Sequence, residues 1–398
     1  MSPPLSGLRI ADFTVHAAGP FCTHLLSQLG AECIKIESLL RPDIFRKPHP
    51  VYGRLGAATF DQVASGKLSV RINLKHPEGA RLARRLALLT GTVAESFRPG
   101  VMDRLGLGYE ALRREKPDLV MLSLSSCGQN GEEAGFAGYA PLFGAWGGLG
   151  ALTGYADGPP VEMRHVMDHA SGFQAALALV AALIWRRRTG KGAHVDIAAR
   201  EVASSLIGEA LLLAACGARP SRQGNAAPGL LPCGVYPAAG EDAWLAIAVA
   251  DERGFEALLS VMGRAELGAD PRFAELEARR QNSAALDAEI AAWTRTQDAD
   301  GAASLLQKKG VAAHPSSDIR QIVADPHLRA RGAIVEVADP KGGTRAAVGA
   351  PMRFSAADGI GINRPTPALG ADEGYVFGEL LGLSLEERRR LEELGAIR

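Results

Sequence analysis

Leu8-Arg9-Ile10-Ala11-Asp12-Phe13, Gly19-Pro20-Phe21 and Cys33-Ile34-Lys35-Ile36-Glu37 are the stretches from which the fold can be read. The first is a short apolar strand. Pro20 suits a first helical turn, where its missing N–H is not needed. Phe21 to Leu29 reads as a helix closed by Gly30, and Cys33 to Glu37 as a second strand. Outward from this unit the pattern repeats. Ser69 to Leu74 is a strand, and His76-Pro77-Glu78 opens a helix running to about Leu89. A strand at Thr92 to Ser96, a helix at Tyr109 to Lys116 and a strand at Leu119 to Leu124 follow. Such alternation predicts the α/β class, with a parallel sheet covered by helices.

Beyond that, Ala170 to Arg188 is a long, nearly apolar helix, Lys191 to Ala198 a strand and Glu201 to Ala214 a helix. Pro, Gly and polar residues then thicken, which predicts a linker over 216–233 after a large domain over 1–215. Residues 234–324, with a strand at Trp244 to Val249 and several amphipathic helices, suit a small α/β domain. Residues 325–398 read as a linker and return, with strands at 333–337 and 345–348 and a loop at 365–370. Ser384 and Glu387 form a capping box at the start of the last helix.

Composition narrows the class. The chain has 398 residues, 47% apolar and 22% charged, with a formal net charge of zero, which describes a soluble globular protein. Without a basic excess and with few aromatics, nucleic-acid binding is not expected. Cys22, Cys33, Cys127, Cys216 and Cys233 are scattered and without CxxC spacing, as in a reducing, cytoplasmic setting. No signal-peptide pattern opens the chain, and the longest apolar run reads as too short for a comfortable bilayer span, so no membrane association is expected.

The chemistry points to Arg164-His165-Val166-Met167-Asp168-His169-Ala170. Asp168 stands at the start of the long helix, where unpaired backbone N–H groups favour an ionised carboxylate. One reading is an N-cap; the other is a carboxylate kept as a nucleophile. His165 and His169 bracket it, but three such residues on one turn are not a ligand set for a metal, and both histidines read as packing or solvent-facing. Glu37 lies where a ribose-binding acid of a dinucleotide fold would sit, yet Ala17-Ala18-Gly19-Pro20-Phe21 lacks the GxGxxG spacing. Neither GxSxG nor a P-loop is present.

Several ordered segments resemble the family III CoA-transferases, the group that holds formyl-CoA:oxalate CoA-transferase and, as a side branch, the α-methylacyl-CoA racemases. They include Pro4-Leu5-Ser6-Gly7-Leu8-Arg9, Ala18-Gly19-Pro20-Phe21-Cys22, Lys67-Leu68-Ser69-Val70-Arg71-Ile72-Asn73-Leu74-Lys75 and Glu95-Ser96-Phe97-Arg98-Pro99-Gly100. Thr189-Gly190-Lys191-Gly192, Val348-Gly349-Ala350-Pro351-Met352-Arg353-Phe354 and Arg364-Pro365-Thr366-Pro367 continue the match. The resemblance makes Asp168 the catalytic aspartate. It places CoA contacts on His16 and Ala17, on Ile72, Asn73, Leu74 and Lys75, on Ser96, Phe97 and Arg98, on Arg104, and on Phe136, Ala137 and Gly138.

Two departures shape the expectation. The formyl-CoA branch has arginines where this chain has Ser38-Leu39, and a glutamine at Ala17, which argues against oxalate as the acceptor. The racemase branch has a histidine where this chain has Tyr139, and a tyrosine of unperturbed pKa about 10 is a poor base but a good hydrogen-bond donor. The resemblance therefore implies transfer of CoA from an acyl-CoA, succinyl-CoA being a common donor, to a free carboxylic acid, with Asp168 and Tyr139 at the reacting centre. An α-methylacyl-CoA racemase and a non-catalytic CoA-binding subunit are the alternatives. It further implies a Rossmann-like large domain with a parallel sheet made from both chain ends, a small domain, an interlocked homodimer, and CoA as substrate with no permanent cofactor.

Overall fold

Six strands build the main sheet: β1 (Arg9–Phe13), β2 (Glu32–Glu37), β3 (Leu68–Arg71), β4 (Thr92–Glu95), β5 (Val120–Ser125) and β6 (Ala193–Ala198). The structure is a computed structural model describing residues 1–48, 55–163, 165–339 and 342–398. Every residue of β4 and β5 is buried, as central strands covered on both faces require. The order is β3-β2-β1-β4-β5-β6 and all pairs are parallel. Chain direction through the sheet reverses between β1 and β4, and the crevice beyond the carboxyl ends of strands at such a switch point is where doubly wound sheets bind ligands.

Each face has its own core. On one, Phe13, Val70, Val93 and Met121 pack with Leu82, Leu86 and Ala87 of the helix Pro77–Thr90. Val376, Phe377, Leu383 and Ile397 from the C-terminal end complete it. On the other face, Ile10, Ala94, Val120 and Leu122 pack with Cys22 and Leu26 of the helix Ala18–Gln28 and with Ala175 and Leu179 of the helix Val166–Thr189. The large domain thus uses both chain ends, but the sheet takes all six strands from residues 9–198; the C-terminal part contributes helical cover and a separate hairpin, β10 (Ile334–Ala338) with β11 (Thr344–Val348).

Val166–Thr189 is also longer than the sequence reading allowed: 24 residues, long and apolar enough by length and composition to cross a bilayer. Its buried positions, Met167, Ser171, Gly172, Ala175, Leu179 and Ala182, recur at helical spacing.

The chain divides into two compact units. One comprises 1–150, 162–219 and 326–398; the other comprises 151–161 and 220–325. The second unit carries an antiparallel sheet of β7 (Cys233–Pro237), β8 (Trp244–Ala248) and β9 (Ala312–Pro315). Its core joins Leu245 and Ile247 to Phe255, Leu258, Leu286 and Leu306. The sequence reading had placed 151–161 in the large domain and 216–233 in a linker. Instead, Arg222 donates to the carbonyls of Ala151 and Tyr155, and Leu231 and Val249 bond through their backbones, drawing both segments into this unit from residue 220 onward. The helix read at 201–214 is two, Ala199–Ser205 and Gly208–Ala215.

Candidate active site

The turn after β1 is held from below by buried charge. Asp12 accepts from the N–H and the hydroxyl of Thr14, and Lys67 bridges Asp12 (3.0 Å) to Thr23 and to the carbonyl of Pro20. Lys35 donates to the carbonyl of Thr14 and to Asp43 (3.1 Å). All four charged side chains are fully buried. Burial pushes the Asp12 carboxyl up, but Lys67, Lys35 and the two threonine hydroxyls outweigh it and hold the group below its ordinary range.

The turn after β4 is tied to this one. Val15 N–H donates to Ser96 Oγ (2.9 Å), and Ser96 Oγ–H donates back to Val15 O (3.2 Å). A Cβ at Gly19 would stand 2.7 Å from Thr14 Cβ and 3.0 Å from Ser96 Cβ, so only glycine lets the helix Ala18–Gln28 begin at the join of the two turns. No side chain caps that helix, and Ala18 and Gly19 of its first turn, where backbone N–H groups lack helical partners, line the cavity.

Asp168 enters from the long helix as its third residue. The N-cap reading is therefore corrected: His165, at φ 63°, holds the cap position, and no side chain caps the helix. The expected bias toward ionisation is corrected too. Burial raises the Asp168 carboxyl above its ordinary range, opposed by the nearby His165, His169 and His16. His165 Nδ1 lies 3.8 Å from Asp168 Oδ2, and the carboxyl side chain is only 16% exposed. His169 Nδ1–H donates to the His165 carbonyl (2.7 Å), and its ring meets Phe21 edge-on at 4.3 Å. The bracketing histidines thus form an electrostatic collar for Asp168, a role the sequence reading did not give them. The close approach of the two helices depends on Gly172, where a Cβ would lie 2.8 Å from Ala18 O and 2.8 Å from Phe21 Cδ1.

Between these elements lies a cavity of about 160 Å³. That is small beside the roughly 300–1,000 Å³ of pockets that enclose whole drug-sized ligands, and suits the reacting end of a longer molecule. Its wall includes Asp168, Tyr139 and His16, together with Ser96, Phe97 and Arg98. Phe136, Ala137 and Gly138 close a further side. Tyr139 is 65% exposed, its ring 6.0 Å from that of His16.

The remaining expected residues lie outside this wall. Ala17 is buried at the helix start. Ile72 is a core residue, 1% exposed, whose N–H goes to Glu37 O. Asn73 bonds through its side chain to Gly395 O and Lys75 N, and Leu74 packs on the core. Lys75 and Arg104 are exposed cations that do not line the cavity. The sequence reading missed Leu124, Ser125, Ser126, Phe143 and Gly19 in the wall. The first two close β5, so the rule that ligands sit beyond the carboxyl ends of strands was the signal for them.

Residues 5–373 match the family described as CoA-transferase family III. The succinyl-CoA--D-citramalate CoA-transferase of Chloroflexus aurantiacus is 36% identical over 98% of this chain and 97% of its own length. The succinate--glutarate CoA-transferase of Agrobacterium fabrum is 32% identical over 95% of this chain and 96% of its own. Among solved structures, a CAIB/BAIF family protein from Brucella suis superposes with a TM-score of 0.86 at 33% identity, covering 96% of this chain and 100% of the other.

Proposed function

The chain belongs to CoA-transferase family III, and from that premise we propose that it moves CoA from an acyl-CoA to a free carboxylic acid by covalent catalysis at Asp168. The observation that carries the reading is the placement of a desolvated carboxyl, with His165, His169 and His16 near enough to act on it, in a small cavity at the switch point, beside an uncapped helix start.

Exchange of one thioester for another is near thermoneutral and calls for an intermediate rather than a energy source. The Asp168 carboxylate attacks the acyl carbonyl, giving a mixed anhydride and CoA thiolate. The thiolate attacks the aspartyl carbonyl and releases the donor acid, leaving an aspartyl-CoA thioester. The acceptor carboxylate then displaces the thiolate, and the thiolate returns to the acceptor's carbonyl and frees Asp168. Each step passes through an oxyanion, for which the first-turn N–H groups of Ala18 and Gly19 and the hydroxyl of Tyr139 are the donors at hand. A small cavity limits water that would hydrolyse either intermediate.

Lys75 and Arg104 are assigned to the phosphates of CoA, which would lie outside the cavity. Succinyl-CoA is the first donor to try, because two similar proteins are named for succinyl-CoA or succinate. A homodimer fits the apolar side chains left open on the long helix and on Gly208–Ala215, with Leu177 65% and Leu212 71% exposed.

Incubation with succinyl-CoA and then hydroxylamine should give a hydroxamate at Asp168 by mass spectrometry. Asp168→Ala and Asp168→Asn should retain the fold and lose at least about a thousandfold in turnover. Retention of a tenth of the activity by the alanine variant would end the covalent reading.

A further inference from the structure

Directly behind the Ser96–Phe97–Arg98 wall lies a carboxyl that the proposed chemistry does not use. Glu95 closes β4 and is 3% exposed. Its Oε2 accepts the N–H of Phe97 at 2.7 Å, two residues on, so the side chain props the turn that lines the cavity. Ser96, between them, clamps the same turn to Val15. We infer that Glu95 is a positioning residue: it sets the backbone of the Ser96–Phe97–Arg98 wall, and through it the grip on the ligand.

Its surroundings make that prop conditional. The strand on one side, β1, offers Phe13 at the paired position, which is apolar. On the other side, β5 offers the Ser123 hydroxyl, which hydrogen-bonds Glu95 and also meets His194 Nε2 at 2.9 Å. From β6 come His194 and Asp196, and from the segment after the wall come Asp103, Tyr109 and Glu110. His194 is stacked on Tyr109, and burial holds it below its ordinary range against the pull of Asp196, Asp103 and Glu110. Asp196 and Asp103 are like charges. Burial, with these two anions, pushes the Glu95 carboxyl up to about 7, against the Ser123 and Phe97 hydrogen bonds. An ionised carboxylate accepts an N–H about twice as strongly as a neutral acceptor does, so the prop is firm above that value and slack below it. On the transferase reading, the wall it supports faces acyl-CoA.

Two readouts on the full-length chain test this, one independent of activity. Hydrogen exchange over residues 96–100, corrected for intrinsic rates, should show protection about tenfold greater at pH 8 than at pH 6. In Glu95→Gln, which cannot ionise, the difference should vanish. The KM for succinyl-CoA should rise about tenfold from pH 8 to pH 6 with little change in kcat, and the glutamine variant should lack that rise. CoA's own phosphates titrate equally in both proteins, so the difference between them isolates Glu95. Ser123→Ala, which removes a stabilising hydrogen bond, should move the midpoint to higher pH and serves if the glutamine variant fails to fold.

PH-independent protection in the wild type, or a glutamine variant that keeps the wild-type profile, would overturn the inference. The expected exchange pattern without turnover of any acyl-CoA would uphold it and overturn the transferase reading instead.

Discussion

Under β1 to β3 each buried charge meets one of opposite sign: Asp12 with Lys67, Lys35 with Asp43, all four side chains fully buried. Under β4 to β6 the buried carboxyl of Glu95 has a hydroxyl, an imidazole held below its ordinary range by burial and two further carboxylates for neighbours. The two halves of one sheet therefore treat the same problem in opposite ways. Paired charges inside a protein must be matched nearly atom for atom and then resist titration. A carboxyl without a cation escapes its desolvation cost by taking up a proton. One half is built to stay fixed and the other to respond, and Asp168 sits where the turns from both meet.

The contrast can be broken most forcefully at Lys67. Lys67→Met removes the cation and leaves Asp12 buried without its main partner, which should lower stability by about 3–5 kcal/mol in denaturant melts at pH 7. A loss under 1 kcal/mol would show that Asp12 finds another partner or takes a proton cheaply.

The pH dependence of stability should have opposite signs in the two halves. Asp12 has a folded pKa below its ordinary value, so its contribution is present above the ordinary carboxylate range and is lost as pH falls through the folded value. Glu95 is the reverse. Its folded value of about 7 lies above the unfolded one near 4.5, so it favours the folded state at low pH, and that contribution is lost as pH rises toward 7. Glu95→Gln should therefore gain stability relative to wild type between pH 5 and pH 8, by at most about 3 kcal/mol. Asp12→Asn should lose stability at pH 7 and lose less in acid. Parallel pH profiles for the two variants would erase the distinction.

The smallest effect sharpens the comparison at the surface. Lys75 follows β3 and Arg104 follows β4, so each half contributes one of the two exposed cations assigned to CoA. Alanine at either should raise the KM for acyl-CoA about tenfold while leaving the KM for the acceptor acid nearly unchanged, and added salt should shrink the effect. If only one variant responds, the CoA phosphates lie over that half alone.

Much of this was legible in the chain. The strands of the sheet declared themselves through apolar runs such as Cys33 to Glu37 and Leu119 to Leu124, and the helix starts through Pro20 and Pro77. Asp168 stood out because a lone acid preceded a long apolar helix. What could not be read has a physical reason. The clamp between Val15 and Ser96 joins residues 81 apart, and nothing local to either announces the other. The state of Asp168 depends on how deeply the fold buries it, which reversed the expectation drawn from its helix position alone. The helix Leu55–Ala64 and the strands β7 and β9 lacked the clean periodicity of the rest. Ile72 was carried over as a ligand contact by resemblance, and its depth in the core, 1% exposed, could not be read from its own stretch.

Gly172 sets how such a protein can diversify. With Ala18 O only 2.8 Å from where its Cβ would stand, the helix bearing Asp168 and the helix facing it touch backbone to backbone. Beside that backbone contact the Phe21 ring closes the joint, its Cδ1 also 2.8 Å from the same point. The spacing between Asp168 and the first turn of the facing helix is therefore set by backbone contact, like a jig clamped before the workpiece is chosen. On the transferase reading, a change of acceptor acid would then fall to the loop from Ala134 to Tyr139 and the end of β5, which share the cavity wall with Asp168 and would leave the reaction untouched while its clientele changed.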